Sequence, residues 1–100
     1  MHQSGRPRSY LVECYWPSVD EERVAVTAQR ALAAIGALRP EGGELRLLWS
    51  VLVPSDETVF YLFEGEEADV RAVSEQAGAP VERVLESYCI DGTATAGYGT

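Results

Sequence analysis

One hundred residues are enough for a single domain with one hydrophobic core, and sixteen acidic against eight basic side chains give this chain a net charge of −8. Nucleic acids and anionic membrane surfaces are therefore not expected as partners, because both require a basic patch, and no apolar run is long enough to cross a bilayer. One histidine, His2, is too few for a catalytic triad or a multi-histidine metal site.

The first predicted element is a strand over Ser9–Trp16, which is rich in aromatic and β-branched residues and ends before Pro17. A helix is predicted to open at Ser18, because Glu21 three residues later would complete a capping box. Apolar residues then recur at helical spacing as far as Leu38. They predict one inward stripe: Val24, Ala28, Ala31, Leu32, Ile35 and Leu38.

The middle of the chain predicts a hairpin. Two apolar, β-prone segments, Glu44–Val53 and Thr58–Glu64, are separated by the polar turn Pro54–Glu57, which is short enough to join antiparallel strands. A second helix is predicted over about Glu66–Ala77. Gly78 follows at the position of a left-handed helix cap.

The end of the chain is weaker in pattern. Val81–Leu85 is interpreted as another helical turn and Glu86–Ile90 as a strand. The tail Asp91–Thr100, rich in glycine, threonine and alanine, buries too little apolar surface to fold and is predicted to be flexible. The leader Met1–Arg8 is also predicted to be flexible and does not read as a secretory signal, so the protein is expected in the cytoplasm.

This order of elements predicts an α+β domain over residues 9–90 with the ferredoxin-like βαββαβ arrangement. Right-handed crossovers would place both helices on one face of a four-stranded antiparallel sheet. The uncovered face should then be polar, but both alternating sets of strand residues are largely apolar, including Leu11 and Tyr15 on the uncovered side. We therefore expect the protein to be a homodimer that covers this face with a second copy, or else to cover it with a ligand.

Three segments resemble the small nickel-binding ferredoxin-like proteins, most of which have no assigned function. They are Tyr10–Pro17, Leu52–Glu64 and Gln76–Val84, in matching order and spacing, and the resemblance extends from about Ser9 to Ser87. It implies the ferredoxin-like fold, dimerisation through the sheets and, for one branch, nickel binding.

Nickel itself does not carry over from this resemblance. In the nickel-binding branch the metal ligands are histidines near the first strand and around the second helix. The matching positions here contain no imidazole: Glu13, Cys14, Tyr15, Glu75, Gln76 and Ala77. A thiol or carboxylates would be a poorer match for this borderline metal, so neither a metal nor another cofactor is expected.

Glu13 is the main candidate for chemistry, because a carboxylate within an apolar strand could act as a general acid or base if it were buried. Tyr15 lies on the same face, and Trp49 and Tyr61 from neighbouring strands could complete an aromatic ligand pocket. The alternative is an ion pair between Glu13 and Arg46 or Arg83, at the rim or across a dimer.

The cysteines are expected to be reduced. Without a secretory signal a disulfide framework is not indicated, and strand geometry places Cys89 opposite about Leu11, too far from Cys14 for a bridge. Cys14 could be a reactive thiol, but a passive core position is the simpler interpretation.

The sequence thus leads to two functional hypotheses. The first is a homodimeric small-ligand or metal-associated binding protein. The second is a cofactor-independent enzyme of the cyclase, isomerase or monooxygenase type that acts on a small aromatic metabolite. In the second, Glu13 and Tyr15 would be catalytic, and Trp49 and Tyr61 would line the pocket.

Overall fold

A computed structural model describes residues 8–38 and 44–90 of the chain. The elements are β1 (Ser9–Tyr15), α1 (Glu21–Leu38), β2 (Arg46–Val53), a 3-10 turn (Pro54–Asp56), β3 (Thr58–Glu64), α2 (Glu67–Gln76) and β4 (Val81–Ser87). The predicted tail over 91–100 and all but Arg8 of the predicted leader lie outside the described residues. None of the helices in the described ranges is both long and apolar enough to cross a membrane.

The four strands form one antiparallel sheet in the order β2-β3-β1-β4. Both helices pack on one face, which confirms the predicted ferredoxin-like βαββαβ fold. The core lies between this face and the helices. Its most completely buried side chains come from both layers: Val12, Cys14, Val59, Phe63, Val70 and Val73.

The prediction for the C-terminal part of the fold was wrong in its element type. Val81–Leu85, interpreted as a helical turn, belongs to strand β4, which pairs with β1 from Ser9↔Ser87 to Cys14↔Val81. An isolated turn of helix gains almost no stability by itself, whereas an edge strand here gains a ladder of hydrogen bonds along β1.

The start of α1 also differs from the prediction. Ser18 does not cap the helix, because its backbone is left-handed, with a φ of 64°. Asp20 has that role, since its Oδ1 accepts a hydrogen bond from the amide of Arg23 at 2.8 Å. The buried stripe is rotated as well: Thr27 and Ala34 are buried, while the predicted inward residues Leu32 and Leu38 are largely exposed.

Strand β2 contains a β-bulge that exchanges its two faces. Leu47 pairs with Phe63 and Trp49 pairs with Leu62, so Leu48 is an extra residue between them. Simple alternation would place Leu47 and Trp49 on the same face. The bulge instead leaves Leu47 against the core and turns Trp49 to the face without helices.

Candidate functional site

The candidate site is the open face of the sheet, meaning the face turned away from α1 and α2. Its residues form rows across neighbouring strands. One row joins four apolar residues: Trp49, Leu62, Leu11 and Leu85. The next row joins Val51, Phe60, Glu13 and Arg83, and a third joins Val53, Thr58 and Tyr15. The open face is therefore a continuous surface across the whole sheet.

Much of this apolar surface is exposed to solvent. Trp49 is 67% exposed, Tyr15 54% and Val51 39%. The central residues Phe60 and Leu62 are half-buried by their neighbours within the sheet. A contiguous apolar patch of this kind usually marks a surface that another molecule covers.

Glu13 lies in the middle of the open face, on β1, and is held by Arg83 of the neighbouring β4. The Nε of Arg83 donates to Oε1 of Glu13 at 2.7 Å, a short charge-assisted hydrogen bond. The Glu13 side chain is 23% exposed and that of Arg83 is 61% exposed. Of the two partners suggested by the sequence, the structure thus selects Arg83. It also leaves one carboxylate oxygen of Glu13 without this contact.

The other suggested partner, Arg46, pairs elsewhere on the open face. Its Nη1 donates to Oε1 of Glu64 at 3.2 Å, in the row that begins the hairpin. Two ion pairs therefore link paired strand positions on the open face, Glu13–Arg83 and Arg46–Glu64. Each of these two pairs is neutral, although the whole chain has a net charge of −8.

Tyr15 is anchored at one end of the open face by the turn that precedes β3. The carboxylate of Glu57 accepts the Tyr15 hydroxyl at 3.4 Å and the Ser18 amide at 3.1 Å. The Glu57 carbonyl also accepts the amide of Trp16 at 2.7 Å. Ser18 and Glu57 are the two non-glycine residues with positive φ in the described chain, and such conformations persist only where surrounding contacts fix them.

Glu57 was not predicted to belong to the candidate site, because its segment has the composition of an ordinary polar turn. Its left-handed backbone, with a φ of 52°, has no sequence signal because glutamate rarely adopts it. Only the meeting of the β2–β3 turn with the end of β1 brings its carboxylate to Tyr15.

Tyr61 was wrongly grouped with Glu13, Tyr15 and Trp49. It lies on the opposite face of the sheet, is 2% exposed, and its hydroxyl donates to the carbonyl oxygen of Val24 in α1 at 3.1 Å. In strand β3 the residues on either side of Tyr61 are also apolar, so alternation could not decide which set meets the helices. The structure places Glu13, Tyr15 and Trp49 on the open face, with Trp49 separated from the other two by strand β3, and it excludes Tyr61.

Cys14 is a core residue on the helix side of the sheet and is completely buried. Burial, and secondarily the charge of Glu13, raise the pKa of its thiol to about 12. Burial and the same thiol raise the pKa of Tyr61 to about 12, an effect that a hydrogen bond to Thr27 partly offsets. Cys14 is therefore a protonated packing residue. It and the exposed Cys89 are both free thiols. The predicted register was wrong, because Leu11 pairs with Leu85, and the Sγ of Cys89 lies 3.8 Å from the Oγ of Ser9 instead.

The residues that match the histidine positions of the nickel-binding proteins do not converge on one site. Glu13 and Tyr15 face outward, Cys14 faces the core as a neutral thiol, and Glu75 and Gln76 are exposed on α2 in the other layer. Within residues 8–38 and 44–90, no group of three or more histidine, cysteine or acidic side chains could hold a metal ion. This donor set does not fit nickel.

In the single chain, replacing Arg83 with glutamine should lower the free energy of unfolding by only about 1 kcal/mol or less, because the Arg83 side of its pair with Glu13 is 61% exposed. The matched control is Arg71→Gln, which breaks the exposed Arg71–Glu67 pair of 3.0 Å within α2. Urea unfolding at low salt and at about 0.5 M salt measures the loss of unfolding free energy in both variants. A loss above about 2 kcal/mol for Arg83 alone would show that Glu13 is buried by something absent from the single chain.

Comparisons with known proteins add information about the fold. No protein family matches the sequence, and no curated protein matches it. The fold is similar to that in the crystal structure of SCO4226 from Streptomyces coelicolor A3(2), with a TM-score of 0.69 and 18% sequence identity. The superposition covers 83% of this chain and 99% of that one. At this identity the similarity shows a shared fold only.

Proposed function

We propose that the protein is a homodimeric binding module in which the open faces of two sheets pack together and hold a small, largely apolar ligand beside Glu13 and Arg83. The observation that carries the proposal is the exposed apolar surface of the open face, with Trp49 67% and Tyr15 54% exposed. Burying such a surface is worth roughly 25 cal/mol for each Å² of apolar area removed from water.

A second copy of the chain is favoured as the cover because of charge. Two chains with a net charge of −8 each repel one another wherever acidic residues are in excess. On the open face, the pairs Glu13–Arg83 and Arg46–Glu64 cancel locally, so two open faces can approach without like-charge repulsion. An isologous contact of this kind is also the simplest symmetric assembly.

The ligand class follows from the same residues. Tyr15 offers an aromatic surface one row from the polar pair Glu13–Arg83, and Trp49 offers a second aromatic surface on the far side of β3, so the face combines a few polar groups with aromatic area, as small-molecule sites usually do. A small aromatic compound is therefore the ligand we favour. A metal-associated role has less support, since the donor set does not converge.

A cofactor-independent enzyme, in which Glu13 acts as acid or base and Tyr15 assists, is the competing proposal. Arg83 occupies Oε1 of Glu13 at 2.7 Å, so a substrate proton could be exchanged only with the other carboxylate oxygen. Tyr61 cannot take part from the core side. We rank binding above catalysis for these reasons, and cytoplasmic location stays a prediction.

The dimer is tested by sedimentation velocity on the wild-type chain and on Leu62→Glu, which adds a carboxylate at the centre of the open face. We expect twice the single-chain mass of 10.9 kDa for the wild type. For Leu62→Glu we expect a monomer at about 10 µM, with affinity for the open-face dimer at least about 100-fold weaker, because each such dimer would bury two carboxylates that cost several kcal/mol each. Circular dichroism confirms that the variant is folded.

Val26→Glu is the matched control, since Val26 is 42% exposed on the outer side of α1 and the substitution adds the same charge. It should leave the mass unchanged. Ligand binding is tested with the neutral probe N-phenylnaphthylamine, whose fluorescence should rise saturably with the wild type and not with Leu62→Glu. A wild type that is monomeric at about 100 µM and does not bind the probe contradicts the proposal.

A further inference from the structure

The two edges of the sheet differ in how they are protected from pairing with another strand. Among the described residues, β2 bonds only to β3, and β4 bonds only to β1. The edge strand β4 carries Glu82, Arg83 and Glu86, charges that discourage strand addition. From Leu47 to Val53, β2 carries no charged residue and no proline, so its edge lacks this protection.

Apolar groups flank the β2 edge on both sides. On the open face, Trp49 and Val51 are exposed beside it. On the helix side, Ala25 and Ala28 of α1 line a groove of about 500 Å³ together with Ser50 and Leu52 of β2, and Glu21 and Gln29 of α1 also line it. We call this groove the α1–β2 groove. An added strand would place alternate side chains into it and onto the open face.

Leu32 extends the same flank of α1. It lies one helical turn beyond Ala28 and two beyond Ala25, so the three residues form one row along the helix. Its side chain is 47% exposed, although its spacing predicts an inward position. Packing within the single chain leaves this leucine uncovered, whereas a strand or helix placed at the β2 edge would cover it.

We infer that β2 pairs edge to edge with β2 of a second copy, antiparallel across a two-fold axis, so that two sheets join into one. The regular segment Trp49–Val53 is self-complementary in such a pairing, because it contains only apolar residues and Ser50. The antiparallel arrangement also brings the Arg46 end of one strand toward the Asp56 end of the other, so that opposite charges meet.

A second copy is the occupant that the charges favour. With a net charge of −8, most of the surface repels another copy, whereas strand β2 itself presents no acidic side chain between Leu47 and Val53, and Glu21 of α1 is the acidic residue that lines the adjoining groove. The ladder is short, since regular pairing with β3 covers only Trp49–Val53 beyond the bulge. The contact is therefore small, and it forms in a concentration-dependent way.

This contact is separate from the packing of open faces and does not rest on it. Together the two contacts give four chains, in which two joined sheets lie face to face. Leu32→Glu tests the edge alone, because it places a carboxylate in the row of α1 that Ala25 and Ala28 begin, beyond the α1–β2 groove, and leaves the open face unchanged. Val26→Glu, on the opposite side of the same helix, is the matched control.

Sedimentation velocity from about 10 µM to 1 mM should show the wild type and Val26→Glu passing from two to four chains, with Leu32→Glu remaining at two. Leu62→Glu should still form the edge-paired dimer at high concentration, and Leu62→Glu combined with Leu32→Glu should be a monomer. Hydrogen exchange provides an independent measurement. The outward-facing amides of Trp49–Val53 should become protected as the concentration rises, except in Leu32→Glu.

The two contacts fail in distinguishable ways. A dimer that is lost in Leu62→Glu and unaffected by Leu32→Glu, with edge amides that exchange equally fast at all concentrations, overturns edge pairing and leaves the packing of open faces intact. A dimer that is lost in Leu32→Glu and retained in Leu62→Glu overturns the packing of open faces and leaves edge pairing intact. If the edge amides of the wild type stay unprotected at 1 mM, no second copy pairs with the β2 edge and the inference is overturned.

Discussion

Replacing Gly65 with alanine should lower the free energy of unfolding by about 2–4 kcal/mol, the range for overpacking combined with backbone strain. Gly65 joins β3 to α2 with a φ of 152°, a backbone conformation that side chains rarely adopt. A Cβ there would lie 2.7 Å from Cδ1 of the buried Leu45 and 3.3 Å from the carbonyl oxygen of Glu44. The Leu45 side chain would have to move within the core, and the backbone at Glu44 and Leu45 would have to give by a few tenths of an ångström.

Two other glycines provide controls in the same urea titration. Gly78 also has a positive φ, 81°, but a Cβ would meet nothing within 4 Å, so Gly78→Ala should cost only about 1–2 kcal/mol. Gly36 lies in α1 with open space around it, and Gly36→Ala should stabilise the protein by about 0.5–1 kcal/mol. Equal losses at Gly65 and Gly78 would show that the contact with Leu45 is unimportant.

The free energy of unfolding should fall steeply as the pH rises above 9. Burial raises the pKa of Cys14 from 9.0, and that of Tyr61 from 10.0, to about 12 in the folded protein. As the pH rises, the unfolded chain therefore loses these protons before the folded chain does. The free energy of unfolding falls between the pKa of each group in the unfolded chain and its pKa in the folded protein. Each group contributes about 1.4 kcal/mol per pH unit in its window, and the contribution is complete below the unfolded pKa.

The variants Cys14→Ala and Tyr61→Phe separate the two contributions. Between pH 9 and 10 the slope should come mainly from Cys14, so Cys14→Ala should flatten it, while Tyr61→Phe should act only above pH 10. Urea unfolding at half-unit pH steps gives the slopes directly. Cys89 and the exposed tyrosines are common to all three proteins and cancel in the comparison. Equal slopes for the wild type and Cys14→Ala between pH 9 and 10 would contradict burial of a neutral thiol.

The sequence by itself determined the fold class and the location of the candidate site. Strand β3 was predicted at its observed bounds, and both helices were recognised because apolar residues at a spacing of three and four have only one side on which to bury. Gly78 was recognised as the end of α2, since a left-handed residue is needed there. The apolar residues on both faces of β1 predicted exposed apolar surface on the face without helices, and Trp49 and Tyr15 are exposed there.

Only the tertiary structure decided which residues meet on that face. The partner of Glu13 depends on the register of β4 against β1, and Val81–Ser87 becomes a strand only through that pairing. The side of Tyr61 depends on the register of β3, because both of its alternating sets are apolar. Trp49 is outward because of the bulge at Leu48. Periodicity specifies how residues alternate along one strand, but only pairing between strands specifies which alternate set faces which layer.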